Sequence, residues 1–376
     1  MINTVDFSPT LRLLLLAAVG ALLPLSWIWV RRRRGELGSR LAMLTALTLF
    51  LTFDLIVFGA FTRLTDSGLG CPDWPGCYGH ASPFGAHAPI TEAQAAMPSG
   101  PVTHSKAWIE MIHRYLAMVV GALCLVMAVA SWAERRSLRH SPWWASLTLI
   151  WVIVQGLFGK YTVTLKLYPA IVTLHLLGAL VLLALLAVQR ESFLARPVAL
   201  SAGLRRAAWV VLGLVVLQVA LGGWVSTNYA VLACSGFPSC NGSWWPIADY
   251  GNGFTMLRDL GHTGQGELLP LEALVAIHWV HRLFAVIVLL ALLALARALY
   301  RADGGLGRSW GLGLLLLALA QLLTGVSNVV LQWPIVAALL HTAGAAAMVL
   351  LLTLLLARSA DPAPARVGSG LRSGLA

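Results

Sequence analysis

The chain has 376 residues, of which 59% are hydrophobic and 11% charged, with a formal net charge of +11 at pH 7 and a mean hydropathy of +0.80. This composition leaves too little polar surface for a soluble fold and indicates an integral membrane protein. No loop combines a long basic run with interleaved aromatic residues, so the positive charge does not indicate a nucleic-acid partner.

Nine apolar runs of about 20 residues are long enough to cross a bilayer as helices. They contain too few polar alternations for barrel strands, and helices satisfy their own backbone groups in lipid. The fold class we expect is therefore an all-α polytopic membrane protein. Its spans are predicted near residues 11–30, 41–61, 107–132, 143–161, 171–189, 207–226, 273–299, 309–331 and 335–357.

Basic residues collect after the first span and after every second span that follows. Of the 26 Lys and Arg residues, 18 lie on this side, which the positive-inside rule makes cytoplasmic. The charge then reflects topology and anionic headgroups. The first span lacks a basic leader and precedes the run RRRR, so we expect a helix with its N-terminus outside and no cleaved signal peptide. The 18 residues are Arg31, Arg32, Arg33, Arg34, Arg40, Arg135, Arg136, Arg139, Arg190, Arg196, Arg205, Arg206, Arg297, Arg301, Arg308, Arg358, Arg366 and Arg372.

Two long loops, 62–106 and 227–272, are predicted to lie outside, and each carries a cysteine pair. The pairs are Cys71 with Cys77 in GCPDWPGC, and Cys234 with Cys240 in CSGFPSC. Outside the cytoplasm such a pair is most simply a disulfide, which would stabilise its loop by about 2 to 3 kcal/mol. Unpaired cysteines are the alternative. A zinc site is disfavoured because four convergent ligands are not evident in either loop.

The chain contains an internal repeat. The cysteine pairs recur at an offset of 163 residues, and QGLFGKYTVTLKLYPAIVTLHLLGA matches QLLTGVSNVVLQWPIVAALLHTAGA at an offset of 166. The sequence therefore predicts two tandem four-helix halves, 41–190 and 207–357, related by a pseudo-twofold axis along the membrane normal. Residues 1–40 form an extra N-terminal transmembrane helix with a basic loop, and 358–376 a cytoplasmic tail.

The repeat sorts four histidines into matched pairs. His113 and His281 lie on the second helix of each half, and His175 and His341 on the fourth. All four are expected about 8 to 12 Å below the outer helix ends. A lone intramembrane histidine is more often a packing residue, but four at one depth favour ligands because ionisable groups in the bilayer are costly. Two neutral imidazoles from facing helices can supply both axial bonds to a haem iron.

Residues near the histidines are compatible with haem. Gly121, Gly178 and Gly344 are small enough to leave room for a porphyrin ring. Arg114 and Arg282 lie near the outer surface, where haem propionates would be expected. Snorkelling of these two arginines to lipid headgroups explains their positions almost as well.

A di-iron carboxylate centre is the competing metal site, because Glu110 and His113 form an E-x-x-H pattern. Such a centre needs four acidic ligands in the bundle. Fewer than four carboxylates lie near the histidine layer in either half, so the sequence favours haem.

The chain resembles the haem A synthase family over about residues 45–357, in FTRLTDSGLGCPDWPGC, EMIHR, HLLGA, the second cysteine pair and HWVHR. The resemblance implies an enzyme of the bacterial plasma (inner) membrane that converts haem O to haem A for cytochrome oxidases. It oxidises a porphyrin methyl to a formyl group by two hydroxylations and loss of water. The resemblance also implies a resident haem B in one half and substrate haem O in the other. Implied partners are membrane lipid, haem O synthase and cytochrome oxidase assembly factors.

Glu110 breaks the repeat, because its counterpart in the second half is His278. Positions i and i+3 share a helix face, so Glu110 is expected beside the haem held by His113. A carboxylate there can accept a proton or position a water near the reacting methyl. A salt bridge to Arg114 is the alternative. With the resemblance, this assigns substrate haem O to His113 and His175, and haem B to His281 and His341.

Two other functions remain open at this point. A dihaem b-type cytochrome that only relays electrons would use the same four histidines. A transporter would be expected to have helices broken by paired Gly and Pro near the midplane. Pro169 and Pro334 instead lie in short turns at the outer face, which disfavours transport.

Overall fold

The structure is a computed structural model that describes residues 8–31, 37–138, 141–194, 198–302 and 305–359. Across these ranges the chain is helical, with no strand beyond three isolated β-bridges. Nine of the described helices are long and apolar enough to cross a membrane, which confirms the predicted all-α polytopic fold. Part of the predicted basic side lies outside the described residues, namely Arg32, Arg33, Arg34, Arg139, Arg196, Arg366 and Arg372, as does the tail from 360 onward.

Each predicted span coincides with one long helix to within five residues at either end. Two further short helices, α3 and α8, lie in the loops. In chain order the helices are α1 (Ser8–Arg31), α2 (Leu37–Leu64), α3 (His87–Ala96), α4 (His104–Ala133), α5 (Trp143–Thr164), α6 (Pro169–Leu194), α7 (Ala202–Thr227), α8 (Tyr250–Gly253), α9 (Leu271–Arg301), α10 (Gly305–Val330) and α11 (Ile335–Ser359).

The long helices after α1 contact one another in two closed rings of four. In the first ring α2 and α5 each contact both α4 and α6, and in the second α7 and α10 each contact both α9 and α11. We call these rings the N-terminal and C-terminal halves. The exact half boundaries and a pseudo-twofold relation between the halves stay predictions.

The halves meet along α6 and α11, which also contact α7 and α2. Leu183 and Leu186 on α6 and Leu352 and Leu355 on α11 are fully buried in one continuous core cluster. Since lipid tails are as apolar as leucine, van der Waals packing and polar contacts, rather than hydrophobic burial, hold such helices together. One polar contact is the ion pair between Glu191 and Arg358, whose Oε2 and Nε lie 2.8 Å apart.

The extra helix α1 packs against the N-terminal half, where it contacts α4 and α2. Its Leu13 is buried. At Gly20 the two helices pack tightly, because an added Cβ would lie 2.7 Å from the side-chain atom Cγ2 of Val119 on α4. Glycine at this position therefore permits the close approach of α1.

Two long loops, 65–103 and 228–270, connect α2 to α4 and α7 to α9 at the same end of the bundle. We call this end the loop face. Each cysteine pair is followed by a tight turn whose two central residues have positive φ: Tyr78 and Gly79 in the first loop, Asn241 and Gly242 in the second. Positive φ at both central residues is the geometry of a type I′ turn, which favours Asn and Gly. The two loops thus share their local fold.

Candidate functional site

The four matched histidines lie on four different helices, below the loop face. His113 is on α4, His175 on α6, His281 on α9 and His341 on α11. Each lies six to ten residues from the helix end at the loop face, which is about 9 to 15 Å of helix. His113 and His175 lie on the two opposite helices of the first ring, and His281 and His341 lie on the two opposite helices of the second. The histidines therefore form two pairs, one per half.

A glycine on the neighbouring helix faces every one of these imidazoles. An added Cβ would lie 3.1 Å from Nε2 of His113 at Gly59 and 3.6 Å from Cε1 of His175 at Gly159. In the C-terminal half an added Cβ would lie 3.0 Å from Cε1 of His281 at Gly222 and 3.2 Å from Cε1 of His341 at Gly325. Each histidine ring thus packs against a glycine, where a larger residue would extend toward the ring.

The surroundings of the two pairs fit a haem with two histidine ligands. All four histidine residues are partly exposed, so none is sealed in the core. Nδ1 of His175 is buried and has no hydrogen-bond partner among the described residues. The described ranges hold no group of three or more His, Cys, Asp or Glu arranged for a metal ion. A haem iron needs only two protein ligands.

Two of the glycines that the sequence suggested as space for the porphyrin have another role. An added Cβ at Gly178 would lie 1.9 Å from Nε2 of Gln155, and at Gly344 2.0 Å from Nε2 of Gln321. These glycines admit the glutamine side chains of the adjacent helix. Gly121 has no atom within 4 Å of such a Cβ, and it lies beside open space.

The C-terminal histidines have polar neighbours. Oγ1 of Thr324 lies 3.0 Å from Nδ1 of His341. The side-chain amide nitrogen of Gln218 lies 3.1 Å from Nδ1 of His281. Outer hydrogen bonds of this kind orient an imidazole and fix which nitrogen carries the proton.

Arg114 holds the first cysteine loop against α4. Its Nη1 donates to the carbonyl oxygens of Asp73 at 2.8 Å, Pro75 at 3.3 Å and Gly76 at 2.5 Å. Its Nη2 reaches the carbonyl of Cys71 at 3.4 Å. Most of its donors are thereby engaged, and the side chain is buried. A contact of Arg114 with a haem propionate stays a prediction and would have to share these donors.

Arg282 does the same for the second loop. Its Nη1 donates to the carbonyl oxygens of Gly236 at 2.8 Å and Ser239 at 3.0 Å, and its Nη2 donates to that of Cys234. Because each arginine directly follows a matched histidine, the cysteine loop is fastened next to that residue. The propionate contact predicted for Arg282 stays untested in the same way.

Glu110 and His278, which differ between the halves, each contact the arginine four residues later and the backbone of the loop region above it. Oε1 of Glu110 forms an ion pair with Nη2 of Arg114 at 2.5 Å, and Oε2 accepts from the backbone N–H of Cys71 at 2.8 Å. Nε2 of His278 accepts from Nε of Arg282 at 3.1 Å, and Nδ1 lies 3.0 Å from the carbonyl of Ala230. The ion pair expected as the alternative role of Glu110 is therefore present.

The cysteines of both loops lie at disulfide distance. The sulfur atoms are 2.08 Å apart for Cys71 and Cys77 and 1.94 Å apart for Cys234 and Cys240. In both pairs the Cα atoms are 4.9 Å apart, within the range that a disulfide spans without backbone movement. Each bridge closes a short ring directly above the helix that carries His113 or His281.

A polar junction joins the halves at the loop face. Nη2 of Arg63 donates to the carbonyl of Ser226 at 2.6 Å, and the guanidinium lies 3.8 Å from the ring centre of Tyr229. Burial raises the pKa of the Tyr229 hydroxyl, which stays protonated and donates to Oδ1 of Asp66 at 2.8 Å. The junction connects the ends of α2 and α7, the helices that present Gly59 and Gly222.

Sequence reasoning missed Gly59, Gly222, Gln218 and Thr324. The first two align with each other in FGAFTRL and LGGWVST, so their match was visible in the repeat. The other two are polar residues that align with apolar residues of the first half: Gln218 aligns with Leu55, and Thr324 aligns with Phe158. A systematic comparison of polar mismatches near the histidines would have found them.

Residues 42–355 match the COX15-CtaA family, described as cytochrome oxidase assembly protein. A protein named heme A synthase from Shewanella oneidensis is 37% identical over 322 residues, which cover 84% of this chain and 94% of that protein. Proteins of the same name from Caulobacter vibrioides and Alkalihalophilus pseudofirmus are 29% and 28% identical over 325 and 316 residues. These two matches cover 81% of this chain each, and 91% and 92% of the respective relatives.

Proposed function

Because the chain belongs to the COX15-CtaA family of cytochrome oxidase assembly proteins and has haem A synthase function, we propose a division of labour between its halves. The N-terminal half binds haem O through His113 and His175 and positions one porphyrin methyl for oxidation to a formyl group. The C-terminal half binds haem B through His281 and His341. When bound, haem B would supply one-electron transfer, and the oxidation of the porphyrin methyl would make the protein an oxidoreductase.

The observation that carries this assignment is the difference between the two histidine pairs. The C-terminal pair has polar partners at both Nδ1 atoms, and contacts of this kind orient imidazoles that hold a metal. In the N-terminal pair Nδ1 of His175 is unpartnered within the described ranges. A substrate must enter and leave, and a ligand with fewer fixed contacts suits that exchange.

Glu110 is proposed to accept a proton or to position a water molecule beside the reacting methyl. Its carboxylate is buried and lies three residues from His113 on the same helix face. The ion pair with Arg114 gives it a competing role, in which it only holds the first cysteine loop. A single substitution separates the two roles.

Glu110→Gln keeps the shape of the side chain and removes the base. If Glu110 handles protons or water, haem binding survives while haem A formed per bound haem falls by a factor of about 10² to 10⁴. If it only holds the loop, haem occupancy and thermal stability fall while each occupied enzyme keeps normal turnover. Turnover per bound haem near that of the wild type would therefore exclude the catalytic role.

The proposed location is the bacterial plasma (inner) membrane, with the loop face outside. Described arginines at the opposite end of the helices support this orientation by the positive-inside rule, among them Arg135, Arg205, Arg301 and Arg358. Disulfides at the loop face suit an oxidising compartment. Haem O synthase and cytochrome oxidase assembly factors are proposed as partners, since one supplies the substrate and the others receive the product.

The reaction itself is tested by extracting and chromatographing the haems of the purified protein. Haem A synthesis predicts farnesylated haem O or haem A together with haem B, and added haem O should be converted to haem A. A protein that carries haem B alone and leaves added haem O unchanged would instead be a dihaem electron-transfer cytochrome.

A further inference from the structure

We infer that Thr324 and Gln218 are positioning residues that hold the imidazoles of His341 and His281 for iron, and that the N-terminal half lacks their counterparts. The inference rests on the proposed binding of haem B by these two histidines. Hydrogen bonds with these two residues would fix the orientation of the haem B ligands. They would also explain why haem B stays bound while haem O exchanges.

Thr324 is placed to accept a hydrogen bond from His341. Its hydroxyl donates to the carbonyl of Ala320 at 2.8 Å, so the oxygen keeps lone pairs for Nδ1 of His341 at 3.0 Å. An imidazole that binds iron through Nε2 carries its proton on Nδ1. Acceptance by Thr324 therefore selects the tautomer that leaves Nε2 free.

Gln218 makes the corresponding contact with His281. Its amide nitrogen lies 3.1 Å from Nδ1 and 3.5 Å from Nε2, and it donates to the backbone oxygen of His281 at 3.1 Å. Its carbonyl oxygen is buried and has no partner among the described residues. In the observed orientation the amide donates to Nδ1. Binding of iron through Nε2 places the proton on Nδ1 and therefore requires the amide to turn, so that this oxygen accepts from Nδ1 and the bond to the backbone oxygen is given up.

The N-terminal half offers neither contact. In the register of the repeat, Thr324 aligns with Phe158 and Gln218 with Leu55, whose side chains cannot accept a hydrogen bond. Nδ1 of His175 is buried and unpartnered in the part of the chain that the structure describes. The polar contacts thus distinguish the halves at the atoms that control ligation.

Hydrogen bonds to Nδ1 have two consequences for a bound haem. They orient the ring and raise the basicity of the ligand, and their loss typically weakens metal binding by about 10- to 100-fold. A more basic ligand favours ferric over ferrous iron, so the contacts also lower the reduction potential. A tenfold change in that preference corresponds to about 59 mV for one electron.

The test compares Thr324→Val with Ser327→Ala in the full-length purified protein. Val keeps the size of Thr and removes the acceptor. Ser327 lies one turn away on α10, and its hydroxyl donates to the carbonyl of Leu323 on its own helix. We expect Thr324→Val to keep low-spin haem B, to raise its midpoint potential by tens of millivolts and to speed haem loss about 10-fold or more. Ser327→Ala should match the wild type.

Two further variants test the inference if the Thr324→Val protein is produced in low amounts. Thr324→Ser retains the acceptor and should restore the wild-type potential, whereas Gln218→Leu, which copies the N-terminal half, should raise it. Unchanged potentials and haem retention in both Thr324→Val and Gln218→Leu would overturn the inference. If His341→Ala also left the low-spin spectrum intact, the proposed ligand assignment itself would fail, which is a separate outcome.

Discussion

Gly222 is the position where the smallest substitution should most directly disturb a proposed haem B ligand. It lies on α7, and the Cβ of an alanine there would be 3.0 Å from Cε1 of His281. Optimal carbon–carbon contacts are about 3.5 to 4.0 Å. Either the imidazole or α7 must therefore move by about 0.5 Å.

The cost follows from the packing around the ring. Overpacking of this kind typically costs about 1 to 3 kcal/mol. Alanine recovers about 0.5 to 1 kcal/mol of helix stability relative to glycine, which offsets only part of this cost where the strain stays in the fold. If the imidazole of His281 tilts away from the iron to relieve the clash, the strain energy is lost from the free energy of haem binding. Haem B affinity should then fall by about 5- to 150-fold, since about 1.4 kcal/mol is tenfold.

Haem B per chain, determined as the pyridine haemochrome after purification, measures this effect, with thermal unfolding recorded in parallel. Gly213→Ala is the matched control, because it lies on the same helix and an added Cβ there meets no atom within 4 Å. We expect normal haem content in Gly213→Ala and depleted haem in Gly222→Ala. Equal haem content in the two variants would show that crowding at position 222 does not disturb His281.

Two further predictions concern the cysteine loops. Cys71 should be bonded to Cys77, and Cys234 to Cys240, so thiol reagents should label these residues in intact cells only after reduction; labelling of all four without reductant would contradict the pairing. Arg282→Lys should loosen the second loop, because one ammonium cannot reproduce the fork that reaches three carbonyls. Hydrogen exchange should then rise in residues 234–243 and not in 71–80, and unchanged exchange would argue against this anchor.

The membrane fold was predictable because its signal is local. Apolar runs of the required length gave every long helix, and the helices extend past the predicted spans because their ends, such as His104 and Arg301, are polar yet still helical. The short helix α3 was missed, since its segment HAPITEAQAA has no long apolar stripe. The ring contacts within each half agree with a repeat that was visible in the sequence.

The site was only partly predictable, because its contacts join distant segments. The repeat pointed to the four histidines by their matched positions. It could not show that Arg114 reaches carbonyls about 40 residues earlier, since this depends on how the cysteine loop folds over α4. Nor could residue size alone separate Gly178, which admits Gln155, from Gly59, which faces His113.

The division of labour between the halves is tested most directly by the spectra and turnover of two alanine variants, His113→Ala and His281→Ala. We expect His281→Ala to lose the low-spin haem B spectrum, because the iron would lose one of its two axial ligands. We expect His113→Ala to keep that spectrum and to form no haem A from added haem O. Loss of the haem B spectrum in His113→Ala, with its retention in His281→Ala, would contradict the assignment and reverse the roles of the halves.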